Sequence, residues 1–277
     1  MIPYELIIPS ASRPHLLGAA LMSLLGRVDQ MPERLIVHDD AAFPGRGEET
    51  RGVVESIAKS QLVPLVFAHD NPPLMHGLSL HWLLSHVRTE YVLYSQDDLL
   101  VVRDLPIADA LDVMHRNQLH QIRFNKRPTM EYKAGWRKKT VYFPAAEQSS
   151  QALTVADHWY FQTGLWRVSR IKPVIDWWVM ATGESFKEHC EPKTNKAMNR
   201  EIGEFNHWAL ANGYALPDQA CYAMDPDVRI EVQRTFIWGK IGEDRYVDNL
   251  GANPDDWALV RPRGGTGPPR VDSQARE

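Results

Sequence analysis

The stretch Tyr91-Val92-Leu93-Tyr94-Ser95-Gln96-Asp97-Asp98 decides the fold. Four apolar, strand-favouring residues run without alternation into polar residues and two adjacent carboxylates. An unbroken apolar run of this length is the pattern of a strand buried on both faces, as in a parallel sheet. Ligands of open α/β sheets bind outside the carboxyl ends of the strands, so Asp97 and Asp98 are predicted to emerge where a ligand lies. Hard carboxylate oxygens at that place suit Mn²⁺ or Mg²⁺, ions that commonly also hold a substrate phosphate. Aspartates after a strand also cap helices and build turns, so the pair has to be read with its surroundings.

Upstream, the pattern repeats. Glu5-Leu6-Ile7-Ile8-Pro9 is a short apolar run stopped by proline, and Ser10-Ala11-Ser12-Arg13-Pro14 is a polar turn with Pro14 placed for a first helical turn. Leu16, Leu17, Ala20, Leu21, Leu24 and Leu25 recur at helical spacing up to Gly26. Arg34-Leu35-Ile36-Val37-His38 is the next predicted strand, followed by a second acid pair, Asp39-Asp40. Residues 47–60 carry the stripe Val53, Val54, Ile57 and Ala58; Pro64–Ala68 is a third strand; Leu78–Val87 is a third helix. Strand and helix alternating over the first hundred residues predict a parallel sheet with crossover helices. Such a sheet brings both acid pairs to one edge, where they can grip opposite ends of one nucleotide; the alternative for Asp39-Asp40 is a pair of helix-capping residues.

Composition bounds the rest. The chain has 277 residues, 44% hydrophobic and 24% charged, with a net charge of −4. Those values are ordinary for a globular protein and give no overall attraction to polyanions, so such a partner has to be met by a local patch. Two cysteines, Cys190 and Cys221, without metal-type spacing support neither a disulfide framework nor a zinc site. The N-terminus lacks the pattern of a signal peptide and no apolar run approaches the ~20 residues of a membrane span, so a cytoplasmic location is expected.

Four motifs in order resemble a GT-A glycosyltransferase of the family 2 type. Leu6-Ile7-Ile8-Pro9-Ser10 with Ser12-Arg13-Pro14 resembles the opening strand and turn of that family. Leu35–Asp40 resembles its second strand, whose terminal Asp contacts the nucleotide base; Asn71 with Gly77 resembles its Asn-x-Gly loop, at longer spacing. Tyr91–Asp98 resembles the strand bearing its DxD motif. The resemblance covers roughly residues 4–102. It implies an α/β GT-A fold, a mostly parallel sheet flanked by helices in one domain, with a nucleotide-sugar-binding half (1–102), an acceptor-binding and catalytic half (103–250) and a C-terminal tail (251–277). It further implies that Pro9, Ser10, Ser12, Arg13, Asp39, Asp40, Asn71, Gln96 and Asp97 face the donor, a UDP-sugar in first place, and that Asp98 ligates the metal. Gln96 stands at the first DxD position, which puts an amide where the family has an acid for the ribose. Residues around His81-Trp82 replace the Arg-Asn that often follows the glycine loop.

The second half opens with a predicted helix over 104–117 and an edge strand over 120–124. Between Arg123 and Thr140 seven cations (Arg123, Lys126, Arg127, Lys133, Arg137, Lys138, Lys139) face one acid, Glu131, with Tyr132 and Trp136 interleaved. Basic groups with aromatics between them follow a phosphate backbone and stack on bases; the other reading is an exposed hairpin. Trp159, Phe161 and Trp166 form an aromatic centre that either walls the acceptor, as in the resembling family, or fills core. Lys126, Arg127, Trp136, Arg137, Lys138, Lys139 and Trp159 are thus the acceptor candidates. Asn199–Tyr214 resembles the family's Glu-Asp helix, with Glu201 on the Glu and Ile202 where the catalytic Asp belongs. Glu201 and Glu204, at i and i+3, are the alternatives for the general base, with His207 beside them. No histidine follows His207, which leaves three alternatives to the family's late metal ligand: Asp225 or Asp227 replaces it, the metal is held by Asp98, the diphosphate and water only, or Arg234 and Lys240 bind the diphosphate directly.

The expected activity is transfer of a sugar to a hydroxyl, by inversion, with a carboxylate taking the proton. A phosphate-rich acceptor is favoured, such as a hydroxymethylated base in DNA of the kind bacteriophage enzymes modify; a saccharide or lipid-linked precursor competes with it. Two other classes stay open: a nucleotidyltransferase, for which the turn after the first strand lacks the glycine-rich basic loop, and a non-catalytic nucleic-acid-binding module, which leaves the carboxylate pairs unexplained.

Overall fold

The computed structural model describes residues 1–40, 45–70, 75–125, 132–133, 136–137, 140–145, 150–155, 162–182 and 235–249. Its frame is a nine-stranded sheet. Strands β1 (Tyr4–Ser10), β2 (Leu35–Asp40), β3 (Leu65–Asp70) and β4 (Tyr91–Tyr94) are all parallel, in the order β3-β2-β1-β4. The helices α1 (Pro14–Leu25), α2 (Gly47–Ser60) and α3 (Met75–Ser85) are the crossovers between them. Each strand of the centre is buried over its whole length, β1, β2 and β4 alike, which is why the sequence shows unbroken apolar runs there.

Beyond β4 the sheet turns mixed. After the short β5 (Leu99–Val101) and helix α4 (Ile107–Arg116), strand β6 (Gln121–Arg123) enters the sheet. A two-stranded ribbon, β7 (Tyr132–Lys133) with β8 (Trp136–Arg137), precedes β9 (Thr140–Pro144), β10 (Ser150–Val155), β11 (Gly164–Arg167), α5 (Val168–Thr182), β12 (Thr235–Trp238) and β13 (Val247–Asn249). The order continues β4-β11-β6-β12-β10-β9. The expectation of an edge strand at 120–124 is therefore corrected: β6 lies inside the sheet, between antiparallel β11 and parallel β12. Its polar ends, His120 and Arg123, suggested an edge, whereas both are buried. Both halves of the chain share this one sheet, as expected of a mostly parallel α/β GT-A fold.

The two faces carry separate cores. Leu6, Ile8, Leu35 and Val37 pack toward Leu17, Leu21, Leu24, Val54 and Leu111 on one face. Ile7, Ile36, Val92 and Tyr94 pack toward Leu80, Leu83, Leu84 and Ile175 on the other. Strand alternation sorts them so. Trp166, one of the three candidate acceptor aromatics, belongs to this second core, fully buried with its ring stacked on Tyr94 at 4.3 Å. No helix among the described residues is long and apolar enough to cross a membrane.

Candidate active site

The carboxyl ends of β1, β2, β3 and β4 meet along one edge because their pairing is parallel. The turn Ala11–Arg13 leaves β1 there and is held from both sides. From β2, Asp39 accepts the Ser12 backbone N–H at 2.7 Å and the Ser12 hydroxyl at 3.0 Å. From beyond β4, Asp97 accepts the Ala11 backbone N–H at 3.0 Å and the Arg13 Nε–H at 3.0 Å, and the Arg13 Nη2 completes a two-pronged contact. Such forked, charge-assisted bonds fix direction as well as energy. Ser12 has φ +53°, a left-handed conformation that costs a residue other than glycine about 1–3 kcal/mol and persists only where neighbours impose it. The two bonds to Asp39 impose it.

The two acid pairs differ in their second member. The first member is inside in both: the Asp39 side chain is 0% accessible and that of Asp97 4%. Asp40 is buried as well, whereas the Asp98 side chain is 21% accessible, its Oδ2 3.7 Å from Arg13 Nη1. Asp40 ends β2 and accepts, through its backbone carbonyl, a long 3.5 Å bond from the Ser12 hydroxyl. Pro9, Ser10 and Gln96 lie along the same edge; Ser10 and Gln96 are buried, and the Ser10 hydroxyl has no hydrogen-bond partner among the described residues. The structure thus brings Ser10, Ser12, Arg13, Asp39, Asp40, Gln96, Asp97 and Asp98 together, as the sequence motifs anticipate.

Three residues of this region escape the sequence reading. His69 sits directly across from Asp39 in the β2–β3 register, and its Nδ1 lies 3.0 Å from Asp39 Oδ2. Gly47, at the start of α2, makes room for it: a Cβ there would fall 2.5–2.7 Å from Nε2, Cε1 and Cδ2 of the imidazole. Thr163, just before β11, meets Ser95 hydroxyl to hydroxyl at 2.9 Å and ties the end of β4 to the next strand. A signal for His69 was present. The dipeptide His-Asp occurs twice, at 38–39 and 69–70, and the two copies pair across the strands: His38 Nε2 lies 2.5 Å from Asp70 Oδ2. His38 faces the opposite side of the sheet, its ring 5.1 Å from that of Trp82.

Among the described residues no group of three or more His, Cys, Asp or Glu gathers into a metal cage. One partly accessible carboxylate, Asp98, with no cage of ligands around it among the described residues does not fit a closed zinc-type site. It fits Mg²⁺ or Mn²⁺, which take few protein oxygens and complete their shell with phosphate and water. Asn71, Lys126, Arg127, Lys138, Lys139, Trp159, Glu201 and Glu204 lie outside the described residues. Of the acceptor candidates, Trp136 and Arg137 form β8, in register with Lys133 and Tyr132 of β7.

No protein-family model matches the sequence, and no curated protein matches it either. Solved structures do match. TarS 1–349 of S. aureus aligns over 94% of this chain and 63% of its own, at 13% identity and a TM-score of 0.52. In fold, the chain is similar to TarS. The same TarS fragment in complex with UDP aligns at 13% identity and a TM-score of 0.51, again over 94% and 63%. The mannosyltransferase PcManGT of Pyrobaculum calidifontis, in complex with GDP-Man and Mn²⁺, aligns at 15% identity over 63% of this chain and 47% of its own, with a TM-score of 0.46. The likeness in fold rests on TarS, of whose 1–349 fragment the chain spans 63% of the length.

Proposed function

We propose that the protein is a glycosyltransferase that takes a sugar from a nucleotide-diphosphate sugar, a UDP-sugar in first place, and passes it to an acceptor hydroxyl. One observation carries this reading. The turn Ala11–Arg13 is clamped between Asp39 and Asp97, which leaves Asp98 at the edge of the sheet where a diphosphate fits. The TarS-like fold supports it, since one of the matching TarS structures holds UDP.

In this reading Asp98 would hold Mn²⁺ or Mg²⁺, which when bound would supply positive charge beside the diphosphate. Gln96 hydrogen-bonds the ribose, and Arg13 reaches the phosphates from beside Asp98. The acceptor oxygen forms its bond to the sugar C1 as the bond from C1 to the phosphate oxygen breaks. Its proton passes to a carboxylate, Glu201 or Glu204, and the nucleoside diphosphate leaves on the opposite face in a single displacement. Six cations between Lys126 and Lys139, without Arg123, which is buried in β6, support a phosphate-rich acceptor, with hydroxymethylated bases in DNA as its test case.

The direct test is transfer. The protein is incubated with Mn²⁺ and each of the UDP-, GDP-, TDP- and CDP-sugars, with hydroxymethylcytosine-containing DNA or with saccharides, and products are weighed by mass spectrometry. A hexose mass added to one acceptor, with the matching nucleoside diphosphate released, is expected. Nucleotide release from none of the donors would overturn the proposal. Transfer to saccharides with none to DNA would keep the enzyme class and discard the acceptor.

A further inference from the structure

The resemblance implies that Asp39, of the second strand, meets the nucleotide base. Here that acid is shut in. Asp39 is 0% accessible, and its oxygens take the Ser12 N–H, the Ser12 hydroxyl and His69 Nδ1. We infer that His69, held by Asp39 and Gly47, is the group that selects the nucleobase, and that it selects bases carrying an imino N–H (uracil, thymine or guanine) over cytosine and adenine. The inference rests on the nucleotide-sugar reading and deepens it.

The chemistry follows from the partners. An ionised carboxylate only accepts, so the imidazole nitrogen facing Asp39 carries the proton. In the neutral ring Nε2 then holds a lone pair and accepts. Gly47 covers one face: its Cβ position lies almost equally near Nε2, Cε1 and Cδ2, which places it over the ring rather than at its rim. With Nδ1 turned inward and one face covered, the Nε2 edge and the other face meet no hydrogen-bond partner among the described residues, and the side chain is 25% accessible. Uracil and thymine offer N3–H and guanine N1–H to such an acceptor, whereas cytosine N3 and adenine N1 are acceptors themselves and meet it lone pair to lone pair. Asp39 is then a positioning residue, fixing the tautomer on one side and the Ser12 turn on the other.

The test is calorimetric binding of UDP, TDP, GDP, CDP and ADP, with Mn²⁺, to the wild type, His69→Ala and Gly47→Ala. The best of UDP, TDP and GDP should bind the wild type about tenfold more tightly than CDP or ADP, the size of one net hydrogen bond. In His69→Ala the gap should close to within about twofold with the CDP affinity unchanged. Gly47→Ala should narrow it too, because the added methyl and the imidazole compete for the same space. Retention of the wild-type gap in either variant, or a wild type that prefers CDP or ADP, overturns the inference. A wild type that binds none of the five overturns the nucleotide-sugar reading instead.

Discussion

Asp39-Asp40 and Asp97-Asp98 are the same dipeptide, one ending β2 and the other following β4 on the far side of β1, and they are held in different ways. Asp39 is satisfied by a backbone amide, a hydroxyl and an imidazole, with no accessible surface. Asp97 is satisfied by a backbone amide and a guanidinium, and that guanidinium also lies near Asp98. The first site is closed and shapes a turn. The second is half open, and it keeps a carboxylate and a cation within reach of solvent. In both pairs the first acid anchors the β1–α1 turn; of the second acids, Asp40 is buried and Asp98 is partly accessible.

If the pairs differ in this way, truncating the inner acids should cost most. Asp39→Ala strands a buried amide, a hydroxyl and an imidazole at once, and urea unfolding should show a loss of about 3 kcal/mol or more. A loss below about 1 kcal/mol would mean that the Ser12 turn holds its shape without Asp39. Asp97→Ala should cost about 1–2 kcal/mol in the same assay, because the Arg13 side chain is 19% accessible and retains Asp98 nearby. A cost equal to that of Asp39→Ala would erase the distinction between a closed and a half-open pair.

A finer cut separates strain from bonding at Ser12. Ser12→Ala and Ser12→Gly both delete the hydroxyl bond to Asp39, but glycine alone accepts φ +53° without penalty. Ser12→Gly should therefore be more stable than Ser12→Ala by about 1 kcal/mol in thermal unfolding. Equal stabilities would show that the turn relaxes once its hydroxyl is gone.

Much of this was legible beforehand. The unbroken apolar runs Leu6–Ile8, Leu35–Val37 and Tyr91–Tyr94 have the signature of strands buried on both faces, and the structure has them at the sheet centre. Pro14 opens α1 as its fixed φ dictates. Which acid of each pair turns inward was not legible, because it depends on which residue of the facing turn carries the donor, and Ser12 and Arg13 are close to their acids only in three dimensions. His69 was hidden for a related reason. Alternation along β2 and β3 sends His38 and Asp39 to opposite faces, so each His-Asp dipeptide is paired across strands rather than along the chain. β6 misled because short buried strands carrying polar ends look like edges until their neighbours are known.

The outer acid gives the smallest effect on stability and the largest on binding. Asp98→Ala should unfold within about 0.5 kcal/mol of the wild type, as partly exposed substitutions usually do. The decisive measurement is calorimetric titration of UDP into the wild type and Asp98→Ala, each with Mn²⁺ and again with EDTA. Binding by the wild type that needs Mn²⁺, reduced at least about tenfold in Asp98→Ala, is the predicted result. Equal UDP affinity in all four titrations, or no binding of UDP in any of them, would contradict it.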